Sequence, residues 1–331
     1  MYLPPKLAAL WFPDDQRATA NTIGSMANPL GILLAMVVSP EIVKKPTELI
    51  YMNIAFATPA AIVAVLISGF IRRSSPKIPP TSSAAQISLP FWSGLKSALQ
   101  TKSFLVLAFT LGGGMGLFNA VYSLIQQILC PMGYSNEFAG ACGALLIGGG
   151  LFGAPLAGFL VDKTGWFEQV AKVTFCTAGV VSSFFSVFSL NTGFIWPVAV
   201  SCVLFGAAGF AVYPIGLELG LETTYPVAEA TSAGLIIISG QIQGILIVLL
   251  MQKIFATKET NGAILSQQTC RNLNDKSSTV EVYHWTNSMI FFNVMACLYA
   301  TCMVLFFWPQ LKRRKLEEEA KRKVAELTNE E

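Results

Sequence analysis

Charge is what this sequence has least of. Asp, Glu, Lys and Arg make up 12% of its 331 residues, half of the roughly 25% typical of soluble domains. With 53% hydrophobic residues and a mean hydropathy of +0.57, that scarcity excludes a soluble enzyme. The 22 basic and 19 acidic residues are too nearly balanced to indicate a nucleic-acid partner. A single histidine, His284, cannot build a histidine-based metal centre, and the seven cysteines contain no CxxC pair, so no metal site and no cofactor are expected. Cys142, Cys176, Cys202, Cys297 and Cys302 lie inside apolar runs, where a thiol is a small packing residue. Cys130 and Cys270 fall on one non-basic side, where a disulfide between them is open. The opening MYLPPKLAALWF is proline-broken and lacks the basic-then-apolar layout of a cleaved leader.

What is abundant is apolar sequence in membrane-length blocks. A bilayer core needs about 20 apolar residues per helix, and eight runs reach that length: 18–38, 50–71, 103–129, 138–161, 170–190, 195–217, 230–254 and 286–308. Backbone amides in lipid must be bonded within the segment, and these runs are too long for barrel strands, so the fold class is all-α and polytopic. Alternate loops share the basic residues unequally, 16 against 6 of the 22, which predicts both termini in the cytoplasm.

The Pro/Ser-rich stretch from Arg72 to Lys102 is the long polar segment between runs and reads as a linker. It divides the chain into 1–71, part of one helix bundle; 72–102, the cytoplasmic linker; 103–308, six helices; and 309–331, a charged tail of solvated helical composition. Within the linker, FWSGLKSALQ is amphipathic, with Phe91, Trp92, Leu95 and Leu99 on one side, as suits a helix lying at the interface. Trp92, Trp166, Trp196, Trp285 and Trp308 fall at segment ends, where interfacial anchors belong.

The loop GFLVDKTG, from Gly158 to Gly165, resembles the G-x-L-a-D-r-x-G loop of the major facilitator superfamily, which lies between the second and third helices of each six-helix half. Gly158, Asp162, Lys163 and Gly165 match it; Trp166 and Phe167 replace the basic pair that often follows. The resemblance implies a latch, with Gly158 permitting close helix approach and Asp162 capping the N-terminus of the next helix and pairing with a neighbouring cation. It also implies twelve helices, of which eight are present: six follow the linker, but two precede it, and the first helices of that half are missing.

KLAALWFPDDQRATANTIGSMANPLG, and YPIGLELGLETTYPVAEATSAG followed by GQIQG, narrow the likeness to the feline leukaemia virus subgroup C receptor-related transporters, solute carrier family 49. The family implies alternating-access transport, with choline, ethanolamine or haem-related solutes in characterised members. A small organic cation is expected here, with haem or another amphipathic metabolite as the alternative. So is a non-transporting short form that partners or regulates a full-length copy. The expected partners are a small-molecule solute and the lipid bilayer, with no nucleic acid, and the chain is expected to be a monomer. The plasma membrane is the default location and the lysosomal membrane the alternative.

A transporter's working residues are polar or aromatic groups at mid-depth in its helices. Asn119 and Tyr122 share a face one turn apart, and Gln126 continues it outward. The family's choline carriers place a cage tyrosine where this chain has Asn119, and a site glutamine where it has Gln241. A second family glutamine matches Pro29, with Asn28 retained beside it. Gln243, about 200° around the helix from Gln241, suits helix packing. Glu218 and Glu222, at i and i+4, read either as a gate or as an end-of-helix cluster paired with Arg17 or Lys163. LGGGMG and LIGGGLFGAPLAG lack the lysine and preceding strand of a phosphate loop and read as close-packing helix faces.

Overall fold

The structure, a computed structural model, describes residues 3–42, 48–70, 76, 80, 90–255, 257–258, 283–316, 318–319 and 322. Ten helices organise them: α1 (Leu3–Trp11), α2 (Asp14–Ile42), α3 (Leu49–Phe70), α4 (Phe91–Gln100), α5 (Lys102–Leu129), α6 (Asn136–Thr164), α7 (Phe167–Ser189), α8 (Ile195–Thr224), α9 (Glu229–Leu250) and α10 (Thr286–Phe306). Seven, α3 and α5 to α10, are long and apolar enough to cross a bilayer. The eighth predicted run lies in α2. At 29 residues α2 extends about 44 Å, but its first half carries Asp14, Asp15, Arg17, Asn21 and Thr22, which separates it in composition from the seven. Two residue pairs, Thr257–Lys258 and Tyr283–His284, form a minimal antiparallel ladder between α9 and α10. Cys270 lies outside the described residues, and with it the expected pairing to Cys130.

Small residues set the packing. A Cβ on Gly112 would stand 2.9 Å from the Gly240 amide nitrogen, and one on Gly116 would stand 2.8 Å from that of Gly244. LGGGMG is thus one side of a paired small-xxx-small crossing of α5 on α9. The second glycine run lies on α6, where Gly149 and Gly153 meet the backbone of α8 at Val203 and Ala207. This α6–α8 contact is the most extensive between helices of the described residues, and α2 packs on both helices. By contrast α3 buries none of its residues.

α4 divides into three faces. Gly94 and Ala98 are buried against α5 and α9, Phe91, Trp92 and Leu99 are exposed, and Ser93, Lys96 and Gln100 share the polar side. The interface expectation therefore needs one change: Leu95 is half-buried rather than exposed with the other three. Trp285 is a clearer departure. It is 2% exposed and belongs to the core, whereas Trp92, Trp166, Trp196 and Trp308 are 61–80% exposed. Cys297, expected in the packing, is also exposed. In bilayers, single-tryptophan variants are expected to separate these cases. Trp92 fluorescence is quenched by lipids brominated near the headgroup, while Trp285 is barely affected, and equal quenching of both would contradict the burial of Trp285.

Candidate functional site

Between α2 and the helices α5 to α10 lies a cavity of about 810 Å³, within the range of small-molecule sites. Four of the predicted residues line it: Asn28 from α2, Asn119 and Tyr122 from α5, and Gln241 from α9. Gln126, one turn beyond Tyr122, is not among the lining residues. α2 runs unbroken past Pro29, which lines the cavity and, lacking an N–H, leaves the Ser25 carbonyl without that helical donor.

Gln241 and Gln243 separate as their angular offset predicts. Gln243 donates to the Phe109 carbonyl at 3.2 Å and to Ser239 Oγ at 3.0 Å, and accepts from the Tyr299 hydroxyl at 2.7 Å. It ties α5, α9 and α10 together, leaving Gln241 as the glutamine turned into the cavity.

Sequence reading missed the aromatic wall. Phe118 packs on Phe205 (5.4 Å between centroids) and edge-on to Phe210 (4.7 Å), and all three line the cavity with Tyr122, Phe175, Tyr213 and Phe292. The available signal was weak: Phe118 adjoins Asn119, but a phenylalanine in an apolar helix carries no mark of which way it faces. Among the described residues lining the cavity there is no Asp, Glu, Lys, Arg or His.

Below the cavity, toward the end that carries residues 9–22 and 311–316, the helices close in layers. In the first, Asn21 Nδ2 donates to the Pro214 carbonyl at 3.1 Å, and Thr22 lies so near Gly158 that a Cβ there would be 2.7 Å from its hydroxyl. In the second, both Asp162 carboxylate oxygens accept backbone N–H bonds from the second turn of α2, Ala18 at 3.0 Å and Thr19 at 2.7 Å, so Asp162 binds α2 and not the start of the helix that follows it. Backbone N–H bonds to an ionised carboxylate are roughly twice as strong as neutral ones. Arg17 also lies 4.0 Å from Glu218 in this layer.

The third layer comes from beyond α10, where Arg313 and Arg314 reach α1, α6 and α8. α8 extends to Thr224, so Glu222 lies in its last turn and Glu218 one turn further in, and both are buried, at 6% and 1% exposure. Their basic neighbours are Arg17, Arg313 and Arg314, while Lys163 is exposed.

A glycine-and-acid loop thus lies at one end of a helical bundle, beneath a cavity walled by α2 and by α5 to α10. The family model described as Major Facilitator Superfamily matches residues 3–248. The chain belongs to the major facilitator superfamily. The superfamily fold is also seen in the likeness to the crystal structure of the fucose:proton symporter FucP of E. coli, with a TM-score of 0.64 at 11% identity over 93% of this chain and 73% of that one. Within the superfamily, the chain is 40% identical to Solute carrier family 49 member A3 of Xenopus tropicalis, covering 96% of this chain and 64% of the relative. It is 29% identical to Choline/ethanolamine transporter flvcr2a of Danio rerio, covering 76% and 56%. The expected likeness to solute carrier family 49 stands on these matches. The chain spans slightly less than two thirds of the length of the curated relatives it matches.

Proposed function

We propose that this chain carries a small organic cation of the choline or ethanolamine type through the membrane by alternating access, without a coupled ion. The observation that carries the reading is a cavity walled by seven aromatic rings and neutral polar groups, with no fixed charge among its described lining residues. Aromatic faces attract a soft cation by about 0.5–2 kcal/mol per ring without the desolvation cost of a buried carboxylate. Asn28, Asn119 and Gln241 are then free to bond a solute hydroxyl or amine. The same lining disfavours haem, whose propionates would find no cationic side chain. The relatives named as choline/ethanolamine transporters add to the support. With the basic end in the cytoplasm, as the distribution of Lys and Arg favours, the sealed end faces inward and the cavity is reached from outside.

Uptake of labelled choline and ethanolamine into proteoliposomes holding this chain is the test, with 3,3-dimethylbutanol, choline's uncharged isostere, as competitor. Saturable choline uptake is expected, with the alcohol competing at least about ten-fold more weakly, the ratio that roughly 1.4 kcal/mol of cation–π attraction gives. Equal competition by the neutral isostere would remove the cation reading.

A further inference from the structure

Composition marks the tail beyond α10 as solvated, yet residues 312–316 are helical and fold beneath the bundle, with Arg313 only 1% exposed. Burying a guanidinium is costly unless its hydrogen bonds are met. Arg313 Nη2 donates to the Ala9 carbonyl at 3.1 Å, in the last turn of α1. Arg314 Nη1 donates to the Gly165 carbonyl at 3.0 Å, at the C-cap of α6, and its backbone N–H donates to Glu222 Oε2 at 3.1 Å. Two adjacent cations thus satisfy the unpaired, negatively polarised C-terminal ends of two different helices. One of those helices precedes the linker and the other follows it.

The match extends to Gly165. Its φ of +71° already favours glycine, and a Cβ there would stand 2.8 Å from Arg314 Nη2, so the last glycine of the loop also makes room for the arginine. Arg313 further faces the buried carboxylates Glu218 and Glu222 beside Arg17.

We propose that Arg313 and Arg314 are gate residues. Residues 311–316 form a strap that holds α1 and α2 against α6 and α8 while the cavity is closed at this end, and that must let go of α1 each time it opens. This inference rests on the alternating-access reading, because a static bundle would have nothing to release.

The test compares the parent chain in nanodiscs with Arg313→Ala/Arg314→Ala, with the conservative Arg313→Lys/Arg314→Lys, and with Glu222→Gln. Amide exchange is followed without solute, and Ser25→Cys in a cysteine-free background reports access to the cavity floor through labelling by an impermeant maleimide from the sealed end in oriented vesicles. The alanine pair is expected to speed exchange over residues 14–24 and maleimide labelling by at least about ten-fold, the population shift that roughly 1.4 kcal/mol produces. Exchange in the α6–α8 core should stay unchanged and the lysine pair should restore most of the seal. Exchange that rises only over 307–316, with labelling unchanged, overturns the strap. If the alanine pair does not stay monodisperse, Glu222→Gln and the lysine pair decide, the glutamine variant being expected to label faster than the parent and the lysine pair to stay near it. None of these readouts needs uptake. Faster labelling in a chain that moves no solute would keep the seal and sink the transport reading, while normal uptake with unchanged labelling would sink the strap alone.

Discussion

Gly206→Leu is expected to yield no monodisperse protein on extraction, and Gly206→Ala to melt well below the parent. A Cβ at Gly206 runs into the carbonyl of Leu146 on the facing helix. That obstacle is backbone, so no rotamer change relieves it; α6 and α8 would have to separate along the contact that dominates the six-helix unit. Overpacking against side chains typically costs about 1–3 kcal/mol, and a rigid backbone obstacle belongs at or beyond the upper end. The interface resists repacking from both sides, because Gly149 meets the Val203 carbonyl in the same way. Gly148→Ala is the control, since nothing lies within 4 Å of a Cβ there. Fluorescence-detected size exclusion after a heating series reads both. A Gly206→Ala variant that melts with the parent would show that the α6–α8 approach is looser than the geometry requires.

How much of this was legible in the sequence follows from what leaves a one-dimensional trace. Long apolar runs did, so the helices and their order could be read, and so did the small amphipathic helix α4. The glycine runs announced close packing but not the partner, which depends on which helices the bundle makes neighbours. Residues whose meaning depends on long-range encounters left the least trace. Arg313 lies in a charge-rich stretch indistinguishable from a solvated helix, and only the arrival of Ala9 some three hundred positions away makes it a buried donor. Trp285 sits where an anchor would sit, yet the helix that follows turns it inward. Glu218 and Glu222 were visible as a pair, but their burial depends on the arrival of Arg17, Arg313 and Arg314 from distant parts of the chain. At the cavity, polarity at mid-depth in an apolar helix singled out Asn119, and the family resemblance pointed to Gln241 and Asn28, whereas the phenylalanines of the wall have no contrast with their surroundings.

That contrast between a polar residue facing a cavity and one facing a helix yields the largest functional prediction. Gln241 and Gln243 are two positions apart and chemically identical, and their alanine variants are expected to fail in different ways. Gln243→Ala strips the Tyr299 hydroxyl of its acceptor and removes donors to Phe109 and Ser239. Leaving one buried polar group unmet costs about 1–3 kcal/mol, so this variant should lose melting temperature while its surviving folded fraction binds solute with parental affinity. Gln241→Ala removes a cavity-lining amide instead. It should melt with the parent and lose about 10- to 100-fold in choline kcat/KM, the equivalent of one or two solute hydrogen bonds. Thermal melts and uptake on the same preparations separate the two. If Gln241→Ala melts low and transports normally when folded, the amide belongs to the packing, and the polar side of the binding site must be sought at Asn28 and Asn119 across the cavity.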